Sequence, residues 1–202
     1  MSEIRERPRG REARRLETRR RVLDAAIAEF AATGMADADV GAIATSAGVA
    51  RGTFYFHFPT KEHVLFALEE REEARIARAL TRYLATPRDL ASTLSETVRL
   101  VTALERRLGT PLFKDLLAVH FSPTRPLTEQ WREHPVIGLV AGMIESARDA
   151  GQAQIAVDPY HSAVFFLLGL YGLLTTTTNA EQLRESVLDS YLTTTVRSLE
   201  PR

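Results

Sequence analysis

The chain has 202 residues, no cysteine, and 26 basic against 26 acidic side chains, so its formal net charge is zero. A chain of this length buries a real hydrophobic core without disulfide or metal staples, and the lack of cysteine excludes thiol nucleophiles, disulfides and cysteine-held metals. The start of the chain is too charged for a signal peptide, and the longest apolar run, Ala163 to Leu174, is shorter than the roughly 18 residues of a membrane span, so a soluble, cytoplasmic protein is expected.

The charge is unevenly distributed. Residues 1–21 hold nine arginines (Arg5, Arg7, Arg9, Arg11, Arg14, Arg15, Arg19, Arg20 and Arg21) against four glutamates (Glu3, Glu6, Glu12 and Glu17). Residues 64–202 carry 15 basic and 17 acidic side chains, close to neutrality. A basic arm on a neutral body suits a protein that touches a polyanion at one end; the same composition also describes a solvated tail with no partner.

Taken in chain order, three-and-four apolar spacing recurs and no stretch alternates long enough for a strand, which predicts an all-α fold. Val22, Leu23, Ala26, Ile27, Phe30 and Ala31 make the first clear stripe, ended by Gly34 as a left-handed cap. Asp39 caps a short helix with Val40, Ile43 and Ala44 facing inward, Ala47-Gly48-Val49 turns the chain, and Arg51 to Phe58 forms a third short helix. Thr60 then caps a long charged helix to about Leu84. Thr86-Pro87 is expected to open a helix to Leu108, and Gly109-Thr110-Pro111 to stop it and start Leu112 to Phe121. Ser122 to Pro126 reads as a loop, and Leu127 to Ala150 as a helix broken at His134-Pro135. Gly151 to Val157 is a connector, Asp158-Pro159 starts the most apolar helix, Tyr160 to Thr177, and Ala180 to Leu199 is the last. Nine to ten helices are expected in all.

The short helix, glycine turn and second short helix between Val40 and Phe58 have the proportions of a helix-turn-helix, with Gly48 supplying positive φ and Ala44 and Ala47 allowing close approach. The residues extend further: Thr18, Val22-Leu23, Ala25-Ala26, Phe30 and Gly34, then Val40, Ile43-Ala44, Ala47-Gly48-Val49, Gly52, Phe54-Tyr55, His57-Phe58, Thr60-Lys61-Glu62 and Leu65. This gapless series resembles the DNA-binding domain of the TetR family. The resemblance implies a basic flexible arm over 1–14, a helix-turn-helix domain over 15–60, and a larger helical ligand-binding and dimerisation domain over 61–202.

The resemblance also gives individual residues roles. Arg51 and Thr53 project toward a major groove for base-edge contacts, and Gly52 lets backbone approach DNA. Tyr55 and His57 correspond to phosphate donors, and Lys61 to a third phosphate ligand at a helix N-terminus. Phe54, Phe58 and Phe30 belong to the domain core. Phe56 faces either DNA, against a thymine methyl, or the body of the protein. Two positions depart from the commonest pattern: Ala50 stands where a hydroxyl often sits, and Asp39 caps with a carboxylate that phosphate repels.

For the remainder, the resemblance implies a homodimer through the two C-terminal helices, where Gly169 and Gly172 permit close packing, and a pocket for a hydrophobic or amphipathic effector. The large side chains assigned to that pocket are Phe113, Leu117, Phe121, Trp131, Val140, Met143, Ile144 and Leu168, with His120 and Tyr171 as polar groups. No G-x-S-x-G, H-E-x-x-H or glycine-rich phosphate loop is present, and the five histidines show no metal-ligand spacing. The expectation is therefore no enzyme, no cofactor and no metal, but a repressor released from a palindromic DNA operator by a small molecule. The alternative is a dimeric DNA-binding regulator with no inducer.

Overall fold

The computed structural model describes residues 6–120, 122, 134–155, 157–177 and 181–200. Among the described residues there are nine helices and no strand: α1 (Glu6–Thr33), α2 (Val40–Ser46), α3 (Arg51–His57), α4 (Lys61–Tyr83), α5 (Leu90–Leu108), α6 (Thr110–His120), α7 (Pro135–Asp149), α8 (Pro159–Thr176) and α9 (Glu181–Leu199). The expected all-α class is what is found. The described part of the basic arm, from Glu6, is continuous with α1. Phe121, Trp131 and the expected turns before His134 lie outside the described residues.

The chain divides into two compact units. Unit 1 comprises the chain up to Glu69 together with Pro111–Ser122, and unit 2 comprises Glu70–Thr110 together with Pro123–Arg202. Unit 1 is built on Val22, Ala26 and Phe30 of α1, Ile43 and Ala44 of α2, Phe54 and Phe58 beyond the turn, and Val64, Leu65 and Leu68 of α4, all buried. Fully burying each large side chain contributes about 1.5–3 kcal/mol. α6 adds Leu112, Phe113 and Leu116, and its Asp115 carboxylate accepts from the Met35 N–H at 3.2 Å. His120 Nδ1 and the Glu69 carboxylate are 2.5 Å apart, pinning the end of α6 to α4.

In unit 2, α7 and α8 pack against each other and both touch α5, while α9 covers α5 and α8. Leu94, Val101, Val140, Ile144, Ala163 and Leu170 are its fully buried centre. Two carboxylates are buried with the apolar groups. Glu105 of α5 accepts from both terminal nitrogens of Arg184 on α9, at 3.3 and 2.8 Å, and Glu72 of α4 accepts from Arg107 of α5 at 2.5 Å. Unpaired, either carboxylate would be strongly destabilising.

One boundary moves. α5 does not open at Thr86-Pro87; its N-cap is Asp89, whose carboxylate accepts from the Ser92 N–H at 2.6 Å. Asp-x-x-Ser satisfies a free first-turn donor directly, whereas proline only tolerates a helix start. His134 is the N-cap residue of α7 with Pro135 in its first turn, and the part of the expected Leu127–Ala150 helix before it lies outside the described residues.

Candidate nucleic-acid interface

The interface is assembled from short-range chemistry. Asp39 is extended (φ −91°, ψ 116°), and its carboxylate accepts from the Gly41 N–H at 2.7 Å, so the expected cap of α2 is present. At the other end Gly48 has φ +64°, a conformation side chains rarely adopt, and the Val49 N–H closes back onto the Ala44 carbonyl at 3.0 Å. This left-handed residue lets α3 leave α2 at the angle of a helix-turn-helix.

α3 is two-faced. Phe54 and, just beyond the helix, Phe58 are wholly buried, and Phe54 packs edge-on to Tyr55 at 5.3 Å between centroids. Arg51, Gly52, Tyr55 and Phe56 are exposed, and Thr53 and His57 are half-buried. Phe56 is 70 % exposed and Tyr55 45 %, so of the two directions open to Phe56 the structure selects the outward one. A Cβ added at Gly52 would meet no atom within 4 Å. The fold therefore does not require glycine there, and the space it keeps open faces away from the protein.

Two arginines of the basic N-terminal segment, on α1, join this surface. The Arg19 guanidinium lies over the Phe58 ring, 4.8 Å from its centroid. His57 is held below the ordinary imidazole range by burial first and then by the positive charges of Arg15 and Arg19, which favours a neutral ring able to donate one hydrogen bond. A helical spacing of four between Arg15 and Arg19 was the available signal. Lys61 is placed differently from a free phosphate ligand: its ammonium donates to the Met35 and Ala36 carbonyls at 3.0 and 2.8 Å. One of its three protons remains for another acceptor.

Residues 22–68 match the family model described as bacterial regulatory proteins, tetR family. The head of the chain is thus similar to the DNA-binding domain of the TetR family. Over 52 residues the chain is 50 % identical to the HTH-type transcriptional regulator SrpR of Pseudomonas putida, covering 26 % of this chain and 24 % of that one. A further match, to the HTH-type transcriptional regulator AcrR of Shigella flexneri, is 37 % identical over 81 residues, covering 40 % of this chain and 38 % of that one. The matched segments thus span well under half the length of these curated relatives. The similarity in fold is wider: a FadR from Thermus thermophilus, solved with lauroyl-CoA, superposes with a TM-score of 0.69 at 22 % identity over 91 % of this chain and 96 % of that one. RolR, solved with resorcinol, gives 0.71 at 18 % identity over 93 % and 90 %.

The residues assigned to an effector pocket are placed less simply. Phe113, Leu117 and His120 belong to unit 1, where Phe113 and Leu117 are core and His120 pairs with Glu69. In unit 2, Val140 is fully buried, Met143 and Tyr171 are half-buried, and Leu168 is 41 % exposed. A cavity of about 350 Å³ opens in unit 2 among α5, α7, α8 and α9, and of the eight expected residues that are described Ile144 lines it. Phe165 and Leu183 are also exposed, on α8 and α9. At Gly169 there is a close approach within the chain, since an added Cβ would lie 2.5 Å from the Tyr191 hydroxyl. At Gly172 an added Cβ would meet nothing within 4 Å. Among the described residues no helix is long and apolar enough to cross a membrane.

Proposed function

We propose that this chain is a TetR-family homodimeric DNA-binding transcriptional regulator that represses from a palindromic operator and is released by a hydrophobic or amphipathic small molecule. The observation that carries the DNA-binding reading is the outward face of α3. A large aromatic, Phe56, stands in solvent beside Arg51 and Tyr55, with an open glycine between them, on a helix whose other face is locked by two buried phenylalanines. Exposed aromatic and guanidinium groups on a rigid helix are the means of reading base edges in a major groove. Arg51 and Thr53 read bases, Phe56 touches a thymine methyl, and Tyr55, His57 and the free proton of Lys61 hold phosphates. Arg15 and Arg19 add positive charge beside them.

The dimer reading is supported by Phe165, Leu168 and Leu183, large apolar groups exposed on the last two helices, with the unencumbered Gly172 on α8. Two-fold pairing through them matches a two-fold operator with half-sites about 34–36 Å apart. The functional division is a basic arm over 1–14, a DNA-binding domain over 15–60 and a sensing and dimerisation domain over 61–202; it cuts across unit 1, whose core also takes in α6. The effector class draws support from structural relatives solved with lauroyl-CoA, resorcinol and triclosan, molecules that each carry an apolar chain or ring. A regulator without an inducer is favoured by one observation, the placement of Phe113, Leu117 and Val140 in packed core and of Leu168 on the surface.

Fluorescence anisotropy of the full chain on DNA from its own upstream region, against random duplex, tests the first reading. Binding 10³-fold or more tighter to the upstream DNA, roughly the lower bound for specific recognition, supports it; equal binding to both refutes it. A thermal-shift screen of apolar ligands separates sensor from constitutive regulator.

A further inference from the structure

A further chamber of unit 2, about 310 Å³, lies between the last turns of α5 and the first turns of α9, apart from the apolar cavity. We infer that it is a binding site for a small hydrophilic carboxylate, a ligand of different chemistry from the effector proposed above. The inference rests on the architecture of unit 2 alone, independently of the DNA-binding reading.

Thr102, Glu105 and Arg106 follow one another at helical spacing and so share one face of α5, opposite Arg184, Glu185 and Leu188 of α9. Arg184 points at α5, where it meets Glu105. Leu183, part of the proposed dimer contact, precedes Arg184, and Glu185 follows it. At about 100° per residue these two project from opposite flanks of α9, so pairing through Leu183 leaves the Glu185 side of the mouth open.

Hydrogen bonding fixes the ligand class. The buried Glu105 carboxylate is already occupied: it accepts from both terminal nitrogens of Arg184, at 3.3 and 2.8 Å, and from the Thr110 hydroxyl at 3.3 Å. Arg184 thereby uses two of the roughly five N–H donors of a guanidinium, and it has no other partner among the described residues although its side chain is only 14 % exposed. The Thr102 hydroxyl oxygen is buried without a hydrogen-bond partner among the described residues. Thr93 and Thr97 of the same helix instead donate to carbonyls one turn back, at 3.0 and 2.9 Å. Sheltered donors of this kind require acceptor oxygens. A carboxylate supplies two and bonds a guanidinium with charge assistance, whereas an ammonium would set donors against donors. At the mouth, Arg106 and Glu185 are exposed with no ion-pair partner among the described residues. Arg106 attracts an anion, and Glu185 suits a hydroxyl donor on the same molecule, so a hydroxy acid fits both.

The test is methyl NMR of the full chain labelled at Leu and Thr, titrated with L-lactate and, separately, with its neutral analogue lactamide. The expected result is saturable binding of one lactate per chain. Shifts should fall on the Thr102, Thr110 and Leu188 methyls and spare Leu94 and Leu199 of the apolar cavity, with lactamide weaker by about tenfold or more. Thr102→Val exchanges an unpaired hydroxyl for a methyl, so its melting temperature should equal or exceed that of the wild type while lactate binds about ten- to 150-fold more weakly. Arg106→Gln, at an exposed position, should weaken lactate by about two- to fivefold. Shifts centred elsewhere or without saturation, lactamide binding as tightly as lactate, a lowered melting temperature of Thr102→Val, or full affinity in both variants would overturn the inference.

Discussion

Replacing Gly52 by alanine should move stability and DNA affinity in opposite directions. Gly52 is the second residue of α3, exposed, with nothing within 4 Å of an added Cβ and no positive φ. A methyl there meets no protein atom and restricts the unfolded backbone, so the substitution should stabilise the fold by about 0.5–1 kcal/mol. If α3 lies in a major groove, the same methyl occupies the space through which backbone approaches DNA. Loss of one close base contact per half-site costs about 1–3 kcal/mol, or roughly five- to 150-fold in half-site affinity. Urea unfolding followed by circular dichroism measures the first effect and anisotropy on the upstream DNA the second. A more stable variant with undiminished affinity would refute the placement of α3 against DNA, and a less stable one would refute the reading of the site as open.

Phe56→Ala should change stability by less than about 0.5 kcal/mol, since the ring is 70 % exposed, whereas Phe54→Ala should cost about 3–5 kcal/mol from the core; chemical denaturation compares them. The wild type should also lose affinity when the contacted thymine becomes uracil, and Phe56→Ala should be indifferent to that exchange. Lys61→Met leaves the Met35 and Ala36 carbonyls without their ammonium donor, so it should lower the melting temperature as well as weaken DNA binding; a loss of affinity with unchanged melting would mean that the carbonyl contacts contribute nothing. Removing Arg184 strands the buried Glu105 carboxylate, and Arg184→Ala should cost about 3–5 kcal/mol, much of it recovered in the double variant with Glu105→Gln. His57 has a depressed folded-state pKa, so the folded chain resists protonation and stability present above the unfolded imidazole range is lost as pH falls through the folded value. A bound phosphate raises that pKa again, so DNA binding takes up a proton and affinity should rise as pH falls from 7 to 6; His57→Gln should abolish this dependence.

The head was legible because its determinants are local. Asp39 caps two residues away, Gly48 carries its own positive φ, and Phe54 and Phe58 occupy one face by helical spacing. What was not legible depends on long-range partners. That the Lys61 ammonium also donates to carbonyls 26 and 25 residues earlier in the chain cannot be read from the sequence. Arg184 and Glu105 are 79 positions apart, and no periodicity pairs them. The pocket was the hardest to read, since stripes of leucine and phenylalanine signal burial without distinguishing packed core from cavity wall: Val140 and Ile144 share a face of α7, yet of these two only Ile144 lines the cavity. At α5 the error was one of competing signals, a proline at position 87 outweighing the better cap two residues on.

The central claim, that the exposed face of α3 binds specific DNA, is tested most directly by fluorescence anisotropy of the full chain on its upstream DNA over a salt series, beside Tyr55→Ala. The account predicts binding far tighter than to random duplex, a steep fall of log affinity with log salt, and, for the variant, uniformly weaker binding with a shallower slope. Equal affinity for random DNA, or a variant that behaves as the wild type does, would contradict it.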